Sequence, residues 1–145
     1  MHKKKLFPLH NFASNLAGEI MNGAMLRGSI FAHANLSDAS LINCDLTDAI
    51  FVHATLVRTN FAESTLVRAC FDYSDLTDAD LSRTDLTHAD FFRATMHRVN
   101  LSGAYLGDSN LKHANLDGAF YDSETVWPAG LDPTSLGVIF NDVSN

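Results

Sequence analysis

Large apolar residues recur at every fifth position of this chain, from residue 16 to residue 116. The residue two positions earlier is usually small, and the one between them is often Asn or Asp, as in Ala34-Asn35-Leu36. An α-helix would spread a five-residue period around its surface, and a strand would alternate it between two faces. The chain is therefore predicted to turn a corner once in every five residues, with the large and the small side chains pointing inward.

A slower period of 20 residues indicates how many corners make one coil. Phe31, Phe51, Phe71 and Phe91 recur at this interval, and four pentads per coil would stack them in one column of the core. A second core column would hold Leu36, Leu56 and Leu76. Coils about 4.8 Å apart would bury these residues against their neighbours, as in a solenoid. We predict an all-β fold, a quadrilateral parallel β-helix of about five coils.

The run Ala-(Asp/Asn)-Leu-x-x, as in Ala79-Asp80-Leu81 and Ala114-Asn115-Leu116, resembles the pentapeptide-repeat family over about residues 14 to 120. The resemblance implies a right-handed coil, and the tail is similar to the closing segment of small bacterial members, especially cyanobacterial ones. Because this scaffold serves unrelated roles, the resemblance alone implies little about function.

Three segments are predicted. Residues 1–13 form an N-terminal cap or irregular segment, with Leu6, Phe7, Leu9 and Phe12 as its apolar residues; residues 14–121 form the β-helix; and residues 122–145 form a C-terminal cap and tail. The cap residues expected over the final coil are Trp127, Leu131, Leu136 and Ile139, and Asp132-Pro133 predicts the start of a short helical turn. If the first coil is left partly bare, two rods would meet there, so we expect a monomer or an end-to-end homodimer.

One outward column is the candidate interaction face: His33, His53, Tyr73, Arg93 and His113. These residues are interpreted as a solvated surface, as metal ligands or as a contact surface for a partner. Flanking positions 32, 52 and 92 provide no carboxylate or thiolate, so no metal site is assigned. Apolar residues at other outward positions favour either looser rules in the first coil or an apolar patch for a partner; they are Ile20, Met25, Ile30, Ile50 and Phe92.

Charged residues two positions after the core register predict ion pairs between coils. The predicted neighbours are Asp38, Arg58, Asp78 and Arg98 on one face, with Glu63 beside Arg83, Asp48 beside Arg68 and His88 beside Asp108 elsewhere. Such exposed pairs set the register of the coils more than they stabilise them. Four further acids, Asp75, Asp80, Asp85 and Asp90, would form a ring with one on each face.

The formal net charge of −7 argues against nonspecific binding of nucleic acid, and no segment approaches the length that spans a membrane. Cys44 and Cys70 lie in different registers, which disfavours a disulfide and favours the cytoplasm. No Ser-His-Asp context, phosphate-binding glycine loop or set of metal ligands is present, so we expect no catalytic residues, no metal and no cofactor.

The sequence predicts a non-catalytic structural or protein-interaction module with an unknown protein partner. The alternative comes from the resemblance, since some family members protect DNA gyrase from quinolones by imitating duplex DNA. That alternative is a DNA-mimicking inhibitor or protector of gyrase. It needs negative charge running along one face, and here arginines are interspersed with the acids.

Overall fold

The computed structural model describes residues 8–142, and its repeating unit is a coil of 20 residues. From His10 to Asn100, parallel bridges join the outward residues of the strand positions to residues 20 further on, for example Asn15 to Asn35 and Asn100 to Phe120. Four pentads therefore complete one turn of a parallel β-helix with four sides. Leu6 and Phe7 of the predicted N-terminal segment lie outside the described residues.

Each corner is a β-turn closed by a backbone hydrogen bond, such as the 2.9 Å bond from the Ala34 N–H to the Phe31 carbonyl. The third residue of the turn has positive φ at every corner from Ala13 to Gly118, while the second does not. Type II turns have this combination. Gly18 and Gly23, both with φ of 72°, adopt positive φ without strain because they have no Cβ. Most corners have a larger residue at this positive-φ position.

We name the corners by their positive-φ residues. Corner A has positions 13, 33, 53, 73, 93 and 113; corner B has 18, 38, 58, 78, 98 and 118; corner C has 23, 43, 63, 83 and 103; corner D has 28, 48, 68, 88 and 108. Side BC lies between corners B and C and carries the bridge positions 20, 40, 60, 80, 100 and 120. Side DA lies between corners D and A and carries positions 10, 30, 50, 70, 90 and 110.

The core consists of columns of apolar side chains stacked from coil to coil. Phe31, Phe51, Phe71 and Phe91 are fully buried, and successive rings stack with centroids 5.2, 4.9 and 4.9 Å apart and interplanar angles of 7° or less. Leu36, Leu56 and Leu76 are equally buried in a neighbouring column. Each ring thus has a ring above or below it, so the coils bury apolar surface continuously along the rod.

Small hydroxyl residues in the inward register are compatible with burial because their oxygens bond to backbone carbonyls. Thr59 Oγ1 donates to the Leu36 carbonyl at 2.8 Å, and Ser64 Oγ donates to that of Leu41 at 2.6 Å. Both residues are at least 98 % buried. These bonds remove the penalty of burying an unpaired hydroxyl.

The recurrent Asn and Asp have a structural explanation. Asp80 Oδ1 accepts from the Ser82 N–H at 2.8 Å, and Asn100 Oδ1 accepts from the Ser102 N–H at 3.0 Å. Asp75 accepts from both the N–H and the hydroxyl of Thr77. Each side chain closes the corner that follows it, as Asx turns do. Asp75, Asp80, Asp85 and Asp90 all make such bonds.

The described chain has no α-helix; its named elements lie at the C-terminal end. Strand β1 is Phe120–Tyr121, a 3-10 helix spans Pro133–Leu136, and strand β2, Ile139–Phe140, pairs parallel to β1. Asp132 caps the 3-10 helix by accepting from the Thr134 N–H, and Pro133 is its first residue, which confirms the predicted start of a helical turn.

The candidate cap residues contact the rod unequally. Trp127 and Leu136 are partly buried against the core, and so is Val138. Leu131 is partly buried, whereas the Ile139 side chain is 48 % exposed. Ile139 joins the last coil through its backbone, since its N–H donates to the Ala119 carbonyl at 2.7 Å. Ile139 was expected to pack its side chain over the final coil. That side chain is instead about half exposed.

Candidate functional site

Corner A carries a column of stacked rings on the outside of the rod. Positive φ directs these side chains away from the core, and the 20-residue coil places each one beside the next. The rings of His33 and His53 stack with centroids 5.0 Å apart at 16°, and those of His53 and Tyr73 stack at 4.9 Å and 18°. Three residues of the candidate interaction face therefore form one continuous stack.

The stack extends in both directions through residues of the neighbouring register. Phe12 meets His33 edge-on at 5.2 Å, Phe92 meets Tyr73 at 5.7 Å, and Phe92 meets His113 at 5.8 Å. The guanidinium of Arg93 lies 5.4 Å from the centre of the Phe92 ring. We call this set the aromatic corner: Phe12, His33, His53, Tyr73, Phe92, Arg93 and His113.

Sequence reasoning placed His33, His53, Tyr73, Arg93 and His113 in one column, and the structure places all five along this corner. It assigned Phe12 to the N-terminal segment, and it named Phe92 only as a flanking residue of the column. Both lie one position earlier in the pentad than the predicted register, and the two turn positions share a corner. Phe92 fills the place in the stack that Arg93 would have taken.

The first three coils around this corner carry no formally charged side chain. Beside the rings lie Ile30 and Ile50 on side DA, and Ala32 and Val52 at the corner itself. Phe12 is 65 % exposed, Tyr73 45 % and Ile50 37 %. The surface is apolar with imidazole and phenol edges at its rim, which is a composition typical of contact surfaces.

The later coils of the same region are charged. Burial raises the pKa of the Asp72 carboxyl, and the neighbouring Asp90 carboxylate adds to the rise. Asp72 Oδ1 is buried without a hydrogen-bond partner among the described residues. Burial also raises the pKa of the Cys70 thiol beside it. An aromatic, uncharged surface therefore gives way to a mixed polar one along the rod axis.

The other corners have a different chemistry. At corner B, Arg58 forms a bidentate pair with Asp38 at 2.6 and 2.9 Å, and Arg98 forms one with Asp78 at 2.7 and 2.9 Å. The hydrogen bonds from Arg58 and Arg98 lower the pKa of the Asp38 and Asp78 carboxyls. These two predicted pairs are confirmed.

Corners C and D each hold one of the other predicted pairs. Arg83 contacts Glu63 at 3.1 Å, and Arg68 pairs with Asp48 at 2.7 and 3.1 Å, as predicted. His88 and Asp108 are neighbours at corner D, as predicted, but they form no ion pair within residues 8–142. Arginines thus neutralise carboxylates on three of the four corners.

The described residues contain no group of three or more His, Cys, Asp or Glu side chains placed to hold a metal ion. No helix among residues 8–142 has the length and apolar character to cross a membrane. Cys44 and Cys70 are not joined by a disulfide.

A family model described as Pentapeptide repeats matches the chain at residues 13–41, 39–78, 69–108 and 94–120. No curated protein sequence matches the chain. Among solved structures, QnrB1, a plasmid-mediated fluoroquinolone resistance protein, is 16 % identical with a TM-score of 0.54, and the match covers 90 % of this chain and 81 % of QnrB1. At this identity the likeness shows the fold alone.

Two other structures share the repeat. HetL, which is involved in heterocyst differentiation regulation in the cyanobacterium Nostoc sp. strain PCC 7120, is 24 % identical with a TM-score of 0.46. The match covers 84 % of this chain and only 61 % of HetL. A protein from the Arabidopsis thaliana thylakoid lumen is 34 % identical with a TM-score of 0.35, over 67 % of this chain and 68 % of that one.

Proposed function

The chain belongs to the pentapeptide-repeat family, and from that premise we propose that it is a non-catalytic protein-interaction module whose contact surface is the aromatic corner. The observation that carries this proposal is the ring stack of His33, His53 and Tyr73 beside the exposed Ile50. Aromatic residues with polar edges are enriched where proteins bind one another, since they combine large contact area with hydrogen-bonding groups.

The rigidity of the corner supports the same proposal. The positive-φ residues of corner A from Ala13 to Arg93 each donate a backbone hydrogen bond to the next coil, such as the 2.9 Å bond from the His33 N–H to the Val52 carbonyl. The rings also restrict one another by stacking. A partner would therefore meet a surface that loses little conformational entropy on binding.

The convex shape of the corner supports a non-catalytic role. Catalytic sites lie in clefts that exclude water and bring reacting groups together. The rings of His33, His53 and Tyr73 lie exposed on a convex corner and line no such cleft.

Imitation of DNA in a gyrase inhibitor or protector is the second candidate, and the charges of the corners do not favour it. Corner B alternates Asp and Arg along its length, with each carboxylate held by a guanidinium. A DNA mimic needs unneutralised acids at regular intervals along one face. Gyrase inhibition is accordingly an outcome of the test below.

Two finer points belong to this proposal. The absence of a disulfide between Cys44 and Cys70 is consistent with the reducing cytoplasm. The rod acts as a monomer or as an end-to-end homodimer; the inward residues Leu16 and Met21 of the first coil are only partly buried, which supports contact at that end.

The test is capture of partners from lysate with three baits: the wild-type chain, the double variant His53→Asn/Tyr73→Asn, and the control Asp38→Asn/Arg58→Asn. Asparagine suits all four positions, because it tolerates positive φ and already occupies this register at Asn43, where φ is 54°. The proposal predicts a partner that binds the wild type and the control and is lost from the aromatic variant.

Equal retention of that partner by the aromatic variant would contradict the proposal. A supercoiling assay with the same three proteins addresses the alternative. Inhibition of gyrase by the wild type that the corner B control alters would favour DNA imitation over the aromatic corner.

A further inference from the structure

Side BC carries a groove near the C-terminal end of the rod. The chain leaves the 20-residue register after β1. A strict repeat would pair Tyr105 with residue 125, but Tyr105 pairs with Val126. Asp122 compensates with its side chain, because its Oδ1 accepts the Gly103 N–H at 2.9 Å. The extra residue lies in the 122–125 turn, and a groove of about 470 Å³ is lined by Asp122 and Glu124 of this turn and by residues of side BC.

The floor of the groove is the bridge column Asp80, Asn100 and Phe120. Asp80 and Asn100 each use Oδ1 to close the following corner. Asp80 Oδ2 and Asn100 Nδ2 make no hydrogen bond within the described part of the chain. Ser82 also lines the groove and is 95 % buried, and its hydroxyl likewise has no partner among residues 8–142. Three polar groups are therefore available to a ligand.

The charges of the lining select a cation. Arg83 and Arg98 line the groove, but they are engaged by Glu63 and by Asp78. Asp80 and Glu124 form no ion pair within the described residues and leave the groove with excess negative charge. An aromatic ring at the end of the same floor adds a surface that attracts cations.

We propose that this groove binds an arginine or lysine side chain of a peptide. Asp80 Oδ2 and the Glu124 carboxylate accept from its cationic head, and the Phe120 ring supplies a cation–π contact. Asn100 Nδ2 donates to a peptide carbonyl. Side BC does not adjoin the aromatic corner, so this site is separate from the proposed interaction surface. The proposal for the groove does not depend on the proposed function.

The test is calorimetric titration of the full chain with two short peptides, acetyl-Gly-Arg-Gly-amide and the same peptide with citrulline in place of arginine. Citrulline keeps the shape of arginine and removes its charge. We expect saturable binding of the arginine peptide and at least about fivefold weaker binding of the citrulline peptide, because citrulline loses the ion pairs with Asp80 and Glu124 and the cation–π contact.

Asp80→Asn is the decisive variant, because Asn60 and Asn100 already close corners in the same column, so the fold should be retained. It should weaken binding of the arginine peptide about two- to fivefold, a smaller loss than that of the citrulline peptide, because Glu124 and Phe120 remain. Asp85→Asn is the matched control: Asp85 closes its corner through Thr87 in the same manner and lies outside the groove, so affinity should not change.

Three results would overturn the proposal. They are absence of binding of the arginine peptide, equal affinities for the arginine and citrulline peptides, and equal affinities of wild type and Asp80→Asn. Titration with inorganic phosphate tests whether the groove binds an anion instead of a cation. Phosphate binding that requires Arg83 or Arg98 would show that the groove selects anions.

Discussion

Two aromatic columns run along this rod at the same spacing, one inside and one outside. The buried column of Phe51, Phe71 and Phe91 stacks at 4.9 Å, and the outer stack of His53 and Tyr73 has the same separation. The coil spacing thus determines the distance between rings, and the degree of burial determines whether a ring stabilises the fold or is available for contact. The inner column excludes water and stabilises the coils, whereas the outer column leaves its ring edges exposed for contact.

The largest expected effect is on the inner column. Phe71→Ala removes a fully buried ring with a ring on either side, and should lower the free energy of unfolding by about 3 to 5 kcal/mol. Chemical denaturation followed by circular dichroism measures this. An unchanged midpoint would mean that the column does not carry the stability assigned to it.

Removal of a ring from the outer column should lower the free energy of unfolding much less. Tyr73 is 45 % exposed, so Tyr73→Asn should lower the free energy of unfolding by no more than about 1 kcal/mol. The denaturation curve of this variant should nearly overlay that of the wild type. A loss as large as that of Phe71→Ala would show that the outer stack is structural.

Asp72→Asn should raise the melting temperature slightly at pH 7. The pKa of the Asp72 carboxyl is raised by burial in the native state, so the ionised form is disfavoured there and weakens the fold above that pKa. The difference from wild type should shrink as the pH falls below the carboxyl's ordinary value of 3.8. Melting curves across this range, with Asp85→Asn as control, measure the effect.

The smallest effect should follow Arg58→Asn at corner B, where the pair is exposed. Arg58 lowers the pKa of Asp38, so its contribution to stability exists above the ordinary carboxyl value and is lost as pH falls through the lowered value. The small difference in melting temperature between wild type and variant should therefore be present at pH 7 and vanish in strong acid and at high salt. Persistence in acid would contradict this assignment.

The core could be predicted from the sequence because burial imposes a strict period. Phe31 and Leu36 occupy the inward positions that the five-residue register predicts. The 20-residue spacing of the phenylalanines predicted that their rings stack in one column of the core. The Asp and Asn residues of the repeat were not given a role, since the sequence does not show that Asp80 Oδ1 reaches the Ser82 N–H.

The outer surfaces were predicted less completely, because two turn positions share each corner. The register gave Phe92 only as a flanking residue of the column of His53 and Tyr73, although its ring contacts that of Tyr73. The groove on side BC was not foreseen, since it depends on one extra residue between Tyr121 and Val126. The sequence shows only that the repeat stops there.

The most direct test of the contact surface is photo-crosslinking in cells with p-benzoylphenylalanine placed at position 53 or at position 58. Both positions are exposed turn residues with φ of 56°, and they differ in lying at corner A and corner B. The proposed function predicts a discrete crosslinked partner from position 53 and none from position 58. Crosslinks from position 58 alone, or the same band from both positions, would contradict it.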